Sequence, residues 1–409
     1  MKLQLSAPPS TLLRSNIRIT GSKSESNRCL LLQALYPNIS IENLSNSDDA
    51  EVMQKGVRIS NGTVDIHHAG TAMRFLTGYF ATQEGKEVIL TGSQRMTERP
   101  IQVLVEALQR LGADITYEKN EGYPPLKIKG RRLTQSKVSL PANISSQYIS
   151  SLLLIAPSLK NGLELELVGE VTSVPYIKMT LALLQQIGVN SSFEGNFIKV
   201  HPMALVKGIN LVVESDWSSA SYFYSIVALS AVGAEVTLSA YKEHSLQGDS
   251  ALAGIYENFG VATVFNNNSI RLRKIADLKP ESLNFELSNA PDIAQTIAVT
   301  CFGLGLGCHL TGLHTLKIKE TDRLEALHVE LSKLGALISV TDKTLTLLAT
   351  GAIKNGIAID TYNDHRMAMA FAPLALKTSI MINDAEVVSK SYPDYWNDLE
   401  RIGIKVEEL

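Results

Sequence analysis

Leu331-Ser-Lys-Leu-Gly335-Ala336 is one of six versions of the same short phrase in this 409-residue chain. The others are Val52-Met-Gln-Lys-Gly56-Val57, Leu108-Gln-Arg-Leu-Gly112-Ala113, Leu184-Gln-Gln-Ile-Gly188-Val189, Tyr256-Glu-Asn-Phe-Gly260-Val261 and Leu399-Glu-Arg-Ile-Gly403-Ile404. Each reads as the last turn of a helix closed by glycine, which takes the left-handed conformation there without a Cβ clash. Successive glycines are separated by 56, 76, 72, 75 and 68 residues. Repetition at such a period marks one supersecondary unit copied along the chain.

Working back from each glycine by about 35 to 46 residues leads to a polar cluster that runs straight into an apolar stretch. These lead-ins are Gly21-Ser-Lys-Ser-Glu-Ser-Asn-Arg28, His67-His-Ala-Gly-Thr-Ala-Met-Arg74, Asn143-Ile-Ser-Ser-Gln-Tyr148, Ser215-Asp-Trp-Ser-Ser-Ala-Ser-Tyr222, Asn289-Ala-Pro-Asp-Ile-Ala-Gln295 and Asn363-Asp-His-Arg-Met-Ala-Met369. Each repeat therefore predicts a buried apolar helix, a short strand, an amphipathic second helix on the outside, and further strands. In the fifth repeat Leu324, Leu327, Leu331 and Leu334 form one stripe, Asp322 with Glu325 imitates a capping box, and Gly335 terminates. In the first, Leu30–Leu35 is helical and Ile39-Ser-Ile-Glu-Asn43 alternates as a strand. Six units divide three and three, with the change near Lys207 to Ser215 after the strand Phe197-Ile-Lys-Val-His201. The fold class is α/β.

Hydrophobic content of 45% and charged content of 19% are those of a globular protein with ample core. A formal net charge of −3 gives no bulk attraction to nucleic acid. Cys29, Cys301 and Cys308 have no CxxC spacing and supply no disulfide framework, which suits a reducing cytoplasm. The opening Met-Lys-Leu-Gln-Leu-Ser-Ala-Pro-Pro lacks a signal h-region and a transit segment. The long uncharged run Ile293 to Leu316 contains four glycines and four threonines, so it predicts a buried helix turning into a strand, not a membrane span. Gly303-Leu-Gly-Leu-Gly307 lacks the spacing of a dinucleotide fingerprint. No HExxH, Cys/His cluster, Walker loop or GxSxG elbow is present, and His67 and His68 would face opposite sides of a strand. Neither a metal nor a cofactor is expected.

A helix N-terminus carries partial positive charge and free N–H groups, so acids belong there. This chain repeatedly puts bases at such places. Lys23 and Arg28 flank the first lead-in and Arg74 ends the second. Arg95 and Arg99 open the helix of Arg95-Met-Thr-Glu-Arg-Pro-Ile101, and Lys319 and Arg323 open that of Lys319-Glu-Thr-Asp-Arg323. Arg366 sits in the sixth lead-in, and Lys390 precedes Ser391-Tyr-Pro-Asp-Tyr395. Phosphates or carboxylates would restore the balance, because dipole and side-chain cation then act on one anion. Asp292 and Glu320 stand among these bases as first-turn acids or as the available general base and acid. Ser145, Ser146 and Gln147 offer uncharged hydrogen bonds, suited to the hydroxyls of a polyol ring or to capping a helix.

Six of these motifs, in order from about residue 18 to 396, resemble the 5-enolpyruvylshikimate-3-phosphate synthase family. They are Gly21–Arg28, Ala69-Gly-Thr-Ala-Met-Arg74, Arg95-Met-Thr-Glu-Arg-Pro100, Lys319–Arg323, Asn363–Met369 and Lys390-Ser-Tyr-Pro-Asp-Tyr395. The resemblance implies a two-domain, inside-out α/β barrel of six βαβαββ units, three per domain. Its domains would be 21–214 and the discontinuous 1–20 plus 215–409, with the active site in the cleft between them. It implies transfer of the enolpyruvyl group of phosphoenolpyruvate to the 5-hydroxyl of shikimate 3-phosphate, with release of phosphate, by a cytoplasmic monomer.

Motif by motif, Lys23, Ser24, Arg28, Ser145, Ser146, Gln147, Ser173, Tyr176, Asp292 and Lys319 would hold shikimate 3-phosphate. Lys23, Gly70, Arg99, Gln147, Arg323, Arg366 and Lys390 would hold phosphoenolpyruvate. Asp292 would take the proton of the attacking hydroxyl, Glu320 would exchange the proton at the methylene carbon, and Lys23 would stabilise charge beside the phosphate. The chain departs from the family at Thr20, often Pro, at His68, commonly Asn, and at Thr315, an Asn in some members. Two other readings stand beside this one: the related transferase acting on UDP-N-acetylglucosamine, and an anion-binding scaffold without catalysis. The loop cysteine of the former has no evident counterpart here. Retention of both Asp292 and Glu320 speaks against the latter, since binding two anions gains nothing from added negative charge.

Overall fold

Six helices follow the six lead-ins, and they form the interior. In the computed structural model, which describes residues 1–7, 13–142, 145–171, 174–280 and 283–409, the chain separates into two units. One is Gly21–Val213; the other, discontinuous, is Met1–Thr20 with Glu214–Leu409. No helix among the described residues is long and apolar enough to cross a membrane.

In the 21–213 unit the inner helices are α1 (Lys23–Leu35), α3 (Gly70–Thr82) and α6 (Ser146–Ile155), which pack on one another. In the discontinuous unit they are α8 (Trp217–Leu229), α10 (Ala294–Gly303) and α12 (His365–Phe371). Every residue of α8 and of α10 is buried. Their serines and threonines are tolerated inside because they bond one another: Ser221 with Thr296 at 3.0 Å, and Thr300 with Ser225 at 2.8 Å and Tyr256 at 2.9 Å. The second helices lie outside, with one face buried: α2 (Asp48–Gly56), α5 (Gln102–Leu111), α7 (Val174–Gln186), α9 (Leu252–Glu257), α11 (Arg323–Leu334) and α13 (Tyr395–Arg401). The remaining short helix is α4 (Gln94–Thr97).

The expected features of α11 are present. Asp322 caps it by accepting from the amides of Leu324 and Glu325, Leu324, Leu327, Leu331 and Leu334 are buried, and Gly335 ends it at φ 102°. A leucine stripe of this kind contributes about 1.5–3 kcal/mol per fully buried side chain.

Among the described residues, five of six sheets repeat one pattern: two parallel strands, then two antiparallel. In the 21–213 unit these are β4 (Asn61–Asp65), β5 (Glu87–Thr91), β7 (Leu126–Lys129), β6 (Asp114–Tyr117), and β8 (Lys137–Pro141), β9 (Leu163–Val168), β11 (Phe197–Val200), β10 (Ser191–Glu194). The discontinuous unit has β16 (Asn284–Glu286), β17 (Cys308–Thr311), β19 (Leu345–Leu347), β18 (Ile338–Val340). It also has β2 (Arg14–Ile17), β13 (Glu235–Ser239), β15 (Ser269–Lys274), β14 (Val261–Asn266). Its last sheet is β20 (Ile357–Ile359), β21 (Ile380–Ile382), β1 (Leu3–Ser6), β22 (Lys405–Glu408). The chain's first two strands thus complete sheets whose other strands lie more than 200 residues on, which ties Met1–Thr20 to the discontinuous unit.

The sixth sheet departs from the expected repeat. It holds only β12 (Ile209–Val212) parallel to β3 (Ile39–Glu42). The shorter glycine spacing of the first repeat explains this: after α2 ends at Gly56, β4 of the next repeat begins at Asn61 and leaves no chain for two more strands.

Candidate functional site

Each unit concentrates cations where its inner helices begin, but it manages their charge differently. In the 21–213 unit Lys23, the first residue of α1, has its ammonium 3.2 Å from Asp49 of α2. One turn on, Arg28 is buried. Its Nε donates to Thr180 Oγ1 at 2.8 Å, its Nη1 to the Ser24 carbonyl at 2.7 Å, and its Nη2 to Ser150 Oγ at 2.9 Å. The guanidinium also lies 5.4 Å from the Phe75 ring centroid and 5.8 Å from that of Tyr176. Burial brings its pKa down to about 10.

Arg74 of α3 is buried too, and desolvation likewise brings it down to about 10, with the charge of Arg99 acting the same way. It donates to the Gly70 carbonyl at 3.2 Å and the Pro100 carbonyl at 3.1 Å, so it ties the segment carrying Arg99 to the start of α3. Tyr148 reinforces that tie, its hydroxyl donating to the same Pro100 carbonyl. Arg99 lies directly over Gly70: a Cβ built there would sit 2.8 Å from Arg99 Nη1. Gln147 donates to Thr71 Oγ1 at 3.1 Å, joining the N-termini of α6 and α3. Ser145 caps α6 by accepting from the Gln147 amide. Among the described residues, Arg28, Arg74 and Arg99 form no ion pair with a carboxylate. Arg28 and Arg74 offset the cost of their burial with neutral oxygens, and half-buried Arg99, beside the N-terminus of α3, is the group placed to meet an anion.

The discontinuous unit holds its cations on carboxylates. Arg323, the first residue of α11, is 1% exposed yet ion-paired three ways. Nε meets Asp364 Oδ2 at 2.6 Å, Nη1 meets Asp292 Oδ1 at 2.8 Å and Nη2 meets Glu320 Oε2 at 2.8 Å. Burial opposes its charge, but Asp364, Glu320 and Asp292 outweigh it and raise its pKa. Asp292 also lies 3.5 Å from the Lys319 ammonium and 3.4 Å from Arg366 Nη2. Arg366 of α12 donates to the Asp292 carbonyl at 3.2 Å and to Ser218 Oγ at 3.2 Å. Ser218 in turn donates a short bond to Asp249, a buried carboxyl pushed up to about 6, by desolvation first and by the charge of Asp292 next. Lys390 donates to the Asn363 carbonyl at 2.6 Å, just ahead of Asp364, which caps α12. Asp292, Lys319, Glu320, Arg323, Arg366 and Lys390 are thus gathered within one unit by ion pairs and hydrogen bonds.

Several local expectations need correction. His67 and His68 occupy a turn, not a strand; His67 is left-handed at φ 48°, and His68 Nδ1 is 2.8 Å from Ser93 Oγ. Arg95 and Arg99 do not open one helix: α4 is four residues long, and the following α5 begins at Gln102, beyond Pro100, whose ring interrupts helix propagation. Arg95 is an exposed residue paired with Glu98 at 3.2 Å. Lys319 does not open α11 either; it ends the 3₁₀ turn His314–Ile318, and Asp322 starts the helix one residue before Arg323. Arg28 and Arg74 are interior residues instead of charges presented at a helix mouth. Ser146 and Tyr176 are half-buried on α6 and α7. Ser173, with the first two residues of the third lead-in, lies outside the described residues.

Sequence reasoning passed over Asp49, Thr71, Ser218, Asp249 and Asp364. Asp364 had a usable signal, an N-cap acid one residue before the sixth inner helix. Asp249 had none.

The architecture is that of enolpyruvyl transferases. An EPSP synthase from Acinetobacter baumannii superposes with a TM-score of 0.82 at 22% identity over 100% of both chains. The enolpyruvyl transferase NikO from Streptomyces tendae superposes with a TM-score of 0.74 at 13% identity, covering 99% of this chain and 98% of the other. At those identities the likeness is one of fold, and it agrees with the inside-out α/β class that the family resemblance implies. Sequence carries the assignment further. Residues 54–399 match the family model of EPSP synthase (3-phosphoshikimate 1-carboxyvinyltransferase). The chain is 47% identical over 417 residues to the 3-phosphoshikimate 1-carboxyvinyltransferase of Bacteroides fragilis, with both chains covered in full. It is 36% identical to that of Shewanella pealeana, covering 98% of this chain and 99% of the relative. The chain belongs to the EPSP synthase family.

Proposed function

We infer that this protein transfers the enolpyruvyl group of phosphoenolpyruvate to the 5-hydroxyl of shikimate 3-phosphate and releases phosphate. One observation carries the reading: buried or half-buried guanidinium groups that, among the described residues, form no ion pair with a carboxylate in one unit, and an Arg–Asp–Glu cluster holding both an acid and a base in the other. A pure anion receptor has no use for Asp292 and Glu320 among its cations; addition followed by elimination needs both.

Shikimate 3-phosphate is assigned to Lys23, Ser24, Arg28, Ser145, Ser146, Gln147, Ser173, Tyr176, Asp292 and Lys319. Phosphoenolpyruvate is assigned to Lys23, Gly70, Arg99, Gln147, Arg323, Arg366 and Lys390. Asp292 is ion-paired with Arg323, Lys319 and Arg366. Incoming phosphate and carboxylate groups meet those same three cations as the substrates bind. Asp292 then takes the hydroxyl proton as that oxygen attacks the enol carbon, while Glu320 protonates the methylene. In the second half Glu320 removes a methyl proton, the enol double bond re-forms, and phosphate leaves beside Lys23. Cations around the leaving group stabilise its charge in the transition state.

The cations of both units are proposed to serve one ligand pair, so scattering should report compaction when both substrates are added. The three buried thiols suit a reducing compartment, and the protein is read as a cytoplasmic monomer. The deciding assay is phosphate release from phosphoenolpyruvate. It should require shikimate 3-phosphate; release without it, or none with it, overturns the reading.

A further inference from the structure

The segment that carries Arg366 is attached to α11 at two points. Arg323 makes the first attachment, from Nε to Asp364 at 2.6 Å. Glu330 makes the second. It lies seven residues further along α11, two turns on and therefore on the same face. Its carboxylate is fully buried and accepts the Tyr362 hydroxyl at 2.6 Å, the Asp360 amide at 3.2 Å and the Lys333 ammonium at 2.8 and 2.9 Å. Lys333 continues to Asp360 at 2.7 Å. A buried carboxylate costs several kcal/mol to desolvate unless fully bonded, and this one takes half of its bonds from one short segment, Asp360 and Tyr362, and half from Lys333, which itself reaches Asp360.

Between the two attachments the backbone is strained. Tyr362 and Asn363 are consecutive left-handed residues, at φ 53° and 56°, and neither is glycine. Such residues cost on the order of 1–3 kcal/mol each and persist only where surrounding contacts over-determine them. The strained pair leads directly into Asp364, whose carboxylate caps α12 through the Arg366 amide at 2.9 Å. Released from Glu330, the turn would relax and carry the start of α12 with it.

We propose that Glu330 and Tyr362 are positioning residues: their hydrogen bond keeps the Tyr362–Asn363 turn left-handed and so aims Arg366, and the Arg323–Asp364 pair beside it, at phosphoenolpyruvate. The inference rests on the assignment of Arg323 and Arg366 to that substrate. Neither Glu330 nor Tyr362 need touch a ligand.

Tyr362 is partly exposed, so Y362F removes one hydroxyl without opening a cavity. A hydrogen bond to a charged group corresponds to roughly a tenfold change or more. The expected result for Y362F is a KM for phosphoenolpyruvate raised about tenfold, with KM for shikimate 3-phosphate unchanged and only a small fall in Tm. E330Q should move the same constant in the same direction. An unchanged KM for phosphoenolpyruvate in Y362F overturns the proposal, as does a uniform loss of both affinities and kcat in step with Tm. R366K is the reference. If R366K leaves KM for phosphoenolpyruvate unchanged, the assignment of the anion site itself is wrong; if R366K raises it and Y362F does not, only the positioning role falls.

Discussion

Arg323 and Asp364, 41 residues apart in sequence, form a buried ion pair with Nε 2.6 Å from Oδ2. Asp364 has no exposed side-chain surface, so this pair is shielded from salt and water. Removing Asp364 would take away the fully buried partner of Arg323 and leave Asp292 and Glu320 to balance its charge. Asp364→Ala should therefore cost about 1.5–3 kcal/mol of stability for the lost charge-assisted bond, plus about 1 kcal/mol for the lost cap of α12. Thermal and urea unfolding would measure it; a loss under about 1 kcal/mol would mean that Asp292 and Glu320 alone satisfy Arg323.

Glu320 touches Arg323 from the half-exposed side of the cluster, 26% accessible. Glu320→Ala should leave shikimate 3-phosphate affinity near wild type and reduce kcat by about 10²–10⁴, the range of a missing general acid. Calorimetric titration and phosphate release separate the two quantities. Turnover at the wild-type rate would remove Glu320 from the chemistry.

Gly70 gives Arg99 room to lie against the start of α3. Gly70→Ala should displace that guanidinium, a flexible end that can move without unfolding the protein. The expected consequence is KM for phosphoenolpyruvate raised roughly 10-fold to 100-fold, the loss of one charge-assisted contact. Arg99→Ala should act in the same direction, and the double variant should be no worse than Arg99→Ala alone.

Asp249 gives a pH signature. Its carboxyl is pushed up to about 6 in the folded chain, against 3.8 in its ordinary state. The folded form then binds its proton more tightly than the unfolded form. Its contribution to stability is present in full below 3.8 and is lost as pH rises through about 6. Asp249→Asn should therefore stabilise the protein at pH 7.5 relative to wild type, by up to about 3 kcal/mol, and should do little at pH 3.5. Tm measured across that window checks the sign; equal shifts at both ends would contradict it.

Much of this was legible because it is local. The six glycine-closed helix ends, the capping by Asp322, the apolar inner helices and the motif positions of Lys23, Arg99, Arg323 and Arg366 all follow from residues within a turn or two of one another. The loss of two strands from the first repeat was also written in its short glycine spacing, though a generic repeat hides it. His67 and His68 misled because two residues after a strand look like two more of it, and only the left-handed His67 reveals the turn.

The sequence by itself determined that one unit of two helices and several strands is copied along the chain, the burial of its first helix and the clustering of bases at helix starts, since periodicity, capping and glycine chemistry act over short distances. Tertiary structure alone decided which charges are paired. Arg28 and Arg74 are as basic on paper as Arg323, yet they are buried against neutral oxygens and rings while Arg323 is enclosed by three carboxylates. The physical reason is range. A helix cap is settled by its own neighbours, whereas the charge state and partner of a buried group depend on whatever distant segments the fold brings within 3 or 4 Å.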